Sequence, residues 1–160
     1  MFAVFAVVAV FAVFAVFAVV AVVSVRLAAL DDAQWVFPLA RDMATSFAVD
    51  RVAFTSSFSS ILERDDAVVL LALDADEIVG YLLGFDHLAF YANGRVAYVE
   101  EVAVIENRRR EKIGDLLLHA FEEWASLRGS RLVTVATRRA SAFYRSIGYE
   151  ETATLFRKIL

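Results

Sequence analysis

Between Tyr98 and Gly114 the chain runs from a strand pattern through a turn dense in cations into the first turn of a helix, and no other stretch restricts the fold as much. Val96 to Ile105 reads as a strand. Arg109 to Arg128 has helical periodicity, with Ile113, Leu116, Leu117, Ala120, Phe121 and Trp124 on one face. Gly129 stands where a helix is usually capped at its C-terminus. The first amides of such a helix have no partner within it, and its dipole favours negative charge at that end. Arg109, Arg110 and Lys112 add formal positive charge at the same place, and Gly114, lacking a Cβ, lets backbone or ligand come close. The stretch therefore reads as an anion site. A solvated basic turn has the same composition. A nucleic-acid patch fits poorly, because the whole chain carries a net charge of −4.

The elements around this segment follow from pattern and turn residues. Ser24 to Leu30 alternates as a short strand. Asp31-Asp32 offers an N-cap for a helix through Trp35 and Leu39 to about Met43, and the lone proline, Pro38, predicts a kink or a late start. Val52 to Leu62 is a weaker helix. Ala67 to Leu73 and Glu77 to Phe85 read as strands of a hairpin around Asp74-Ala75-Asp76. His87 to Arg95 is a loop or turn, with Asn93-Gly94 near its end. Arg131 to Ala136 is a strand, Arg138 to Ile147 a short helix ended by Gly148, and Glu151 to Ile159 a closing strand. The order β-α-α-β-β-β-α-β-α-β predicts a single α/β (α+β) domain, a sheet with helices packed on it, over residues 24–160.

Residues 1–23 stand apart. Met1 is followed by 22 residues drawn only from Phe, Ala and Val, long enough to span a bilayer. The repeat has a period near three, which matches neither a helix face nor a strand face. It is read as an artefact of the sequence or, failing that, an apolar membrane anchor. A domain starting at Ser24 is expected to be complete without it.

Several chemistries are excluded on composition. The chain has no cysteine, so it has no disulfide, thiolate metal site or cysteine nucleophile, and it suits a reducing compartment. His87 and His119 are its two histidines, far apart, and no metal centre is expected. No Ser-His-Asp set, Walker loop or G-x-G-x-x-G is present.

Two stretches carry a family likeness. Arg109-Arg110-Glu111-Lys112-Ile113-Gly114 resembles the acetyl-CoA-binding motif of the GNAT N-acetyltransferase family, Q/R-x-x-G-x-G/A after a strand, with Lys112 in place of the middle glycine. Thr137 to Tyr149 resembles the family's N-x-x-A-x-x-F-Y-x-x-x-G-F/Y. Ala140, Phe143, Tyr144, Gly148 and Tyr149 fall in register, and Thr137 replaces the asparagine. The resemblance implies a mixed, mostly antiparallel sheet flanked by helices. It implies an acyltransferase that moves acetyl from acetyl-CoA to a small-molecule or peptide amine within a ternary complex. A cytoplasmic homodimer, with no metal, nucleic-acid or membrane partner, goes with it. A non-catalytic acyl-CoA-binding regulatory module of the same fold is the alternative.

The resemblance also assigns residues. Main-chain groups of Val102, Ala103 and Val104 would pair with the pantetheine arm. The amides of Arg109, Arg110, Glu111, Lys112, Ile113, Gly114 and Asp115 would hold the pyrophosphate, with Thr137 and Phe143 beside the cofactor arm. Tyr144 would protonate the leaving thiolate, since a phenol of ordinary pKa near 10 is a donor at neutral pH and not a base. A carboxylate on the central strand can take the amine proton, directly or through water. Glu100 and Glu101 are adjacent, so in a regular strand they point to opposite faces and only one meets the acceptor. Glu100 aligns with the family's glutamate. His87 and Tyr91 are further candidates for the acceptor pocket. His119, Trp35 and Phe37 read as structural.

Overall fold

The structure is a computed structural model and describes residues 23–159, so the expectations for the Phe/Ala/Val run fall outside the described residues. Among the described residues five strands lie in sequential order in one sheet: β1 (Ser24–Leu27), β2 (Ala67–Asp74), β3 (Glu77–Ala89), β4 (Gly94–Val104) and β5 (Ser130–Val135). The first four pair antiparallel and β4 pairs β5 in parallel. A parallel neighbour needs a long crossover, and helix α3 (Ile113–Leu127) supplies it. The sheet is therefore mixed and mostly antiparallel. Helices α1 (Ala33–Met43) and α2 (Arg51–Leu62) cover one face, and α3 with α4 (Ser141–Ser146) covers the other.

Burial on both faces explains the unbroken apolar run of β2, whose residues from Val68 to Leu73 are all buried. Leu70, Ala72, Val79, Leu82 and Val99 pack beneath Leu117, Leu118 and Phe121 of α3. Leu71, Leu73, Tyr81 and Leu83 pack against Val36, Leu39 and Phe58 of α1 and α2. Leu118 replaces Leu116 in the core face of α3, and Leu116 is partly exposed. Gly84 of β3 faces the ring of Phe121 so closely that a Cβ would stand 2.2 Å from Cε2. Phe121 is fully buried and has nowhere to retreat. Gly84→Ala should therefore destabilise the fold by about 2–3 kcal/mol through overpacking, read as a lower urea midpoint at unchanged m.

Some expected elements differ. Helix α1 runs through Pro38, which removes the bond to the carbonyl of exposed Gln34. Asp32 does not cap it. Its buried carboxylate takes a two-pronged pair from Arg26 at 2.7 and 2.8 Å and the Ala29 N–H at 2.7 Å. Asp50 is the side chain that caps a helix, accepting the Ala53 N–H at 2.8 Å at the start of α2. His87 and Leu88 belong to β3, opposite Val96 and Arg95, so the expected loop shrinks to Phe90–Ala92 and a left-handed Asn93. Trp35 is 62% exposed and is no core residue, whereas Phe37 is buried.

The closing strand expected over Glu151 to Ile159 is absent. These residues are exposed and pair with no strand among the described residues. Arg157 Nη1 donates to Ser46 Oγ at 2.7 Å, and Arg145 pairs with Glu151. Strand propensity makes such a segment able to pair but cannot supply the partner ladder that makes it a strand.

Candidate active site

Strands β4 and β5 run together only from Arg95 opposite Ser130 to Val99 opposite Val135. At the same point the ladder with β3 slips: Val99 opposes Gly84 and Glu101 opposes Leu83, leaving Glu100 as the extra residue of a β-bulge. Beyond it β4 keeps β3 on one side and, among the described residues, presents an open edge on the other. The Ile105 N–H donates to the Val79 carbonyl at 3.0 Å and sets the phase of that ladder. Main-chain groups alternate in direction, so those of Ala103 are turned to β3 while Val102 and Val104 face the open edge. Ala103 thus drops out of the expected set of cofactor contacts. The Val104 carbonyl already accepts the Arg109 Nε–H at 3.4 Å.

The bulge also corrects the expectation that Glu100 and Glu101 point to opposite faces. Val99 and Val102 both pack into the cluster under α3, although regular alternation would separate them. The two glutamates between them therefore share the opposite face, the one covered by α1 and α2. Glu101 Oε2 accepts the Tyr81 hydroxyl at 2.7 Å. Glu100 reaches solvent, yet partial burial, and then the neighbouring Glu101 charge, push its carboxyl above the usual range. Burial and then Glu100 push the phenol of Tyr98 up, and burial with Glu101 pushes Tyr81 up further. Tyr81 and Tyr98 were not singled out in the sequence. Their part depends on strand pairing and on the bulge.

The cationic turn is not the start of the helix. A 3-10 turn, Glu106–Arg108, leads into residues 109–112, and α3 begins at Ile113. Arg110 and Lys112 take left-handed backbone conformations, φ 69° and 62°. Lys112 stands where the motif has glycine and keeps the glycine-like conformation at a cost of about 1–2 kcal/mol. Among the described residues the amides of Arg110, Glu111, Lys112, Ile113, Gly114 and Asp115 meet no acceptor, and the first bond of the helix is Leu116 N–H to the Lys112 carbonyl at 3.0 Å. Successive amides left open in a turn ahead of a helix make an anion-binding concavity. The Glu111 carboxylate is held by Arg108, so the loop offers its main chain there.

Helix α4 closes the other side. Phe143 Cζ lies 3.4 Å from where a Gly114 Cβ would stand, so α4 packs on α3 through that glycine. Thr137 Oγ1 accepts the Ala140 N–H at 3.0 Å, a local turn bond. Tyr144 is 6% exposed, its ring edge-on to Phe143 and Tyr149. Its hydroxyl has no hydrogen-bond partner among the described residues and is not sealed from solvent. Burial, and then the Tyr98 phenol, push its pKa up.

The structure does not bring His87 and Tyr91 to this place. His87 lies opposite Val96, four positions and about 13 Å of strand from Glu100, and exposed Tyr91 precedes β4 altogether. His119 is exposed on α3 beside Glu122. Among the described residues no helix is long and apolar enough to cross a membrane, and no cluster of three or more His, Asp or Glu could hold a metal ion.

Comparison with known proteins agrees with this geometry. The chain is 25% identical over 133 residues to the uncharacterized N-acetyltransferase YhfO of Bacillus subtilis, covering 79% of this chain and 89% of that one. It is 28% identical over 140 residues to the aminoalkylphosphonate N-acetyltransferase of Salmonella typhimurium, covering 85% and 90%. The solved structure of the aminoglycoside N-acetyltransferase AAC(6')-Iy in complex with CoA superposes with a TM-score of 0.77 at 15% identity, over 86% of this chain and 94% of that one, a likeness of fold. Residues 65–151 match the family described as the acetyltransferase (GNAT) domain, and they include the bulge, the open edge, the amide-lined loop and Tyr144. The chain belongs to the GNAT acetyltransferase family.

Proposed function

We propose that the chain transfers the acetyl group of acetyl-CoA directly to an amine held beside Glu100. The observation that carries this is the junction of an open strand edge, Val102 and Val104, with six consecutive unpartnered amides, Arg110 to Asp115. A ligand with an amide-bearing arm and a pyrophosphate satisfies both. The fold likeness to an enzyme crystallised with CoA supports it. Arg109, Arg110 and Lys112 then neutralise the pyrophosphate, and Phe143 and Thr137 border the arm.

In the reaction Glu100 takes a proton from the acceptor ammonium, and the freed amine nitrogen attacks the thioester carbonyl. The C–S bond breaks, and Tyr144 gives its proton to the departing thiolate. The proton that the attacking nitrogen sheds on becoming an amide returns to the Tyr144 phenol through solvent. Holding amine and thioester together supplies much of the acceleration. Glu100 and Glu101 form no ion pair among the described residues, which suits an acceptor bearing positive charge. The aminoalkylphosphonate and aminoglycoside acceptors named for similar proteins are both amines.

Purified chain incubated with acetyl-CoA and a panel of diamines, amino acids, aminoalkylphosphonates, aminoglycosides and peptides tests this through thiol release. Release with at least one class is expected. CoA binding without release across the panel would leave an acyl-CoA-binding module instead. Arg109→Glu should weaken CoA binding by well over tenfold in calorimetry, because it reverses charge at both the loop and the Val104 edge.

A further inference from the structure

Left-handed backbone at two non-glycine residues, Arg110 and Lys112, has to be held by something outside the loop. Arg108 is placed to supply that hold. Its side chain is only 23% exposed and lies between two carboxylates. Nη1 donates to Asp74 Oδ2 at 2.6 Å and Nε donates to Glu111 Oε2 at 2.7 Å. Its own N–H donates to the Ile105 carbonyl at 3.1 Å, which roots it at the end of β4. Asp74 closes β2 at the tight turn into β3, and Glu111 lies between the two left-handed residues. One guanidinium thus ties a rigid hairpin of the sheet to the middle of the amide-lined loop.

We propose that Asp74, Arg108 and Glu111 are a positioning clamp that holds this loop in its pyrophosphate-binding shape before the cosubstrate arrives. The inference rests on the reading of that loop given above. Arg108 spends its fork on the two carboxylates, so it acts through the loop and not as a phosphate ligand. Two carboxylates beside an anion site would oppose binding by charge alone. Their presence is accounted for when they fix Arg108, since a loop already ordered binds without the cost of ordering it.

Charge and positioning predict opposite signs, which makes the clamp testable. Asp74→Asn removes a negative charge near the pyrophosphate and weakens the hold on Arg108, whose charge-assisted bond becomes at most a neutral one. On charge alone CoA should bind more tightly. The clamp requires at least fivefold weaker CoA binding by calorimetry, with turnover at saturating acetyl-CoA within twofold of the parent. Hydrogen exchange at the amides of Arg110 to Asp115 should be faster in the CoA-free variant. Glu111→Gln, on the more exposed side of the pair, should weaken CoA binding in the same direction even if Asp74→Asn fails to fold. Arg108→Lys, which keeps the charge but loses the fork, should not restore parent affinity. Unchanged or tighter CoA binding in folded Asp74→Asn and Glu111→Gln would overturn the clamp alone. Absence of CoA binding by the parent chain would overturn the clamp and the proposed function together.

Discussion

Glu100→Gln should lower kcat/KM for the amine by about 10²–10⁴, the range that a positioned general base contributes. The pH dependence carries more information than the size. A base must be unprotonated, so activity of the parent falls as pH drops through the Glu100 pKa. Partial burial and the Glu101 charge raise that value, so the fall sets in at higher pH than an ordinary glutamate near 4.3 would give. The deficit of the Gln variant is therefore largest above the raised pKa and narrows below it. Stability should move the other way. A carboxyl whose pKa is raised on folding contributes stability below its unfolded pKa and loses it as pH rises through the folded one. At neutral pH the ionised Glu100 is a cost, and Glu100→Gln should hold or raise the thermal midpoint. A parent profile flat through this range, or one unchanged in the variant, would remove Glu100 from the proton path and turn attention to Glu101.

Tyr144→Phe is expected to lower kcat by about 10²-fold or more while leaving CoA affinity within about twofold. The ring packs edge-on against Phe143 and Tyr149, and phenylalanine keeps those contacts. Only the hydroxyl is lost, and it has no protein partner among the described residues. Fold and binding therefore have no reason to change. Because burial raises the phenol's pKa, the parent should hold its proton throughout the neutral range and show no loss of activity from Tyr144 ionisation there. Steady-state turnover beside calorimetry of CoA separates the two quantities. Parent-like turnover in the variant would mean that solvent protonates the thiolate.

Those two side chains are candidates that the resemblance supplies, Tyr144 by its place in the spaced motif and Glu100 by its alignment with the family's glutamate. Local pattern carried the β2–β3 hairpin, the amphipathic α3 and the glycine stops at Gly129 and Gly148, both with positive φ. Features set by pairing between distant segments were not legible. The bulge at Glu100 belongs to the ladder between β3 and β4 and coincides with Gly84, where Phe121 leaves no room for a side chain. Without it, alternation assigned Glu100 and Glu101 to opposite faces, and the Tyr81–Glu101 pair could not be foreseen. The sequence reading starts α3 at Arg109, although the apolar face that carries its periodicity begins only at Ile113. The left-handed Arg110 and Lys112 show in backbone angles and not in residue type. The last segment, Glu151 to Ile159, has strand-forming residues but no ladder among the described residues, since propensity does not choose a partner.

Titration of the isotopically labelled chain with CoA, followed by backbone amide resonances, tests most directly whether this cleft is the cosubstrate site. The amides of Arg110 to Asp115, together with Val102 and Val104 on the open edge, should show the largest saturable shifts. They are the groups that the proposed function assigns to the pyrophosphate and the arm. Shifts that saturate elsewhere while these resonances stay still, or none at any attainable CoA concentration, would contradict the account.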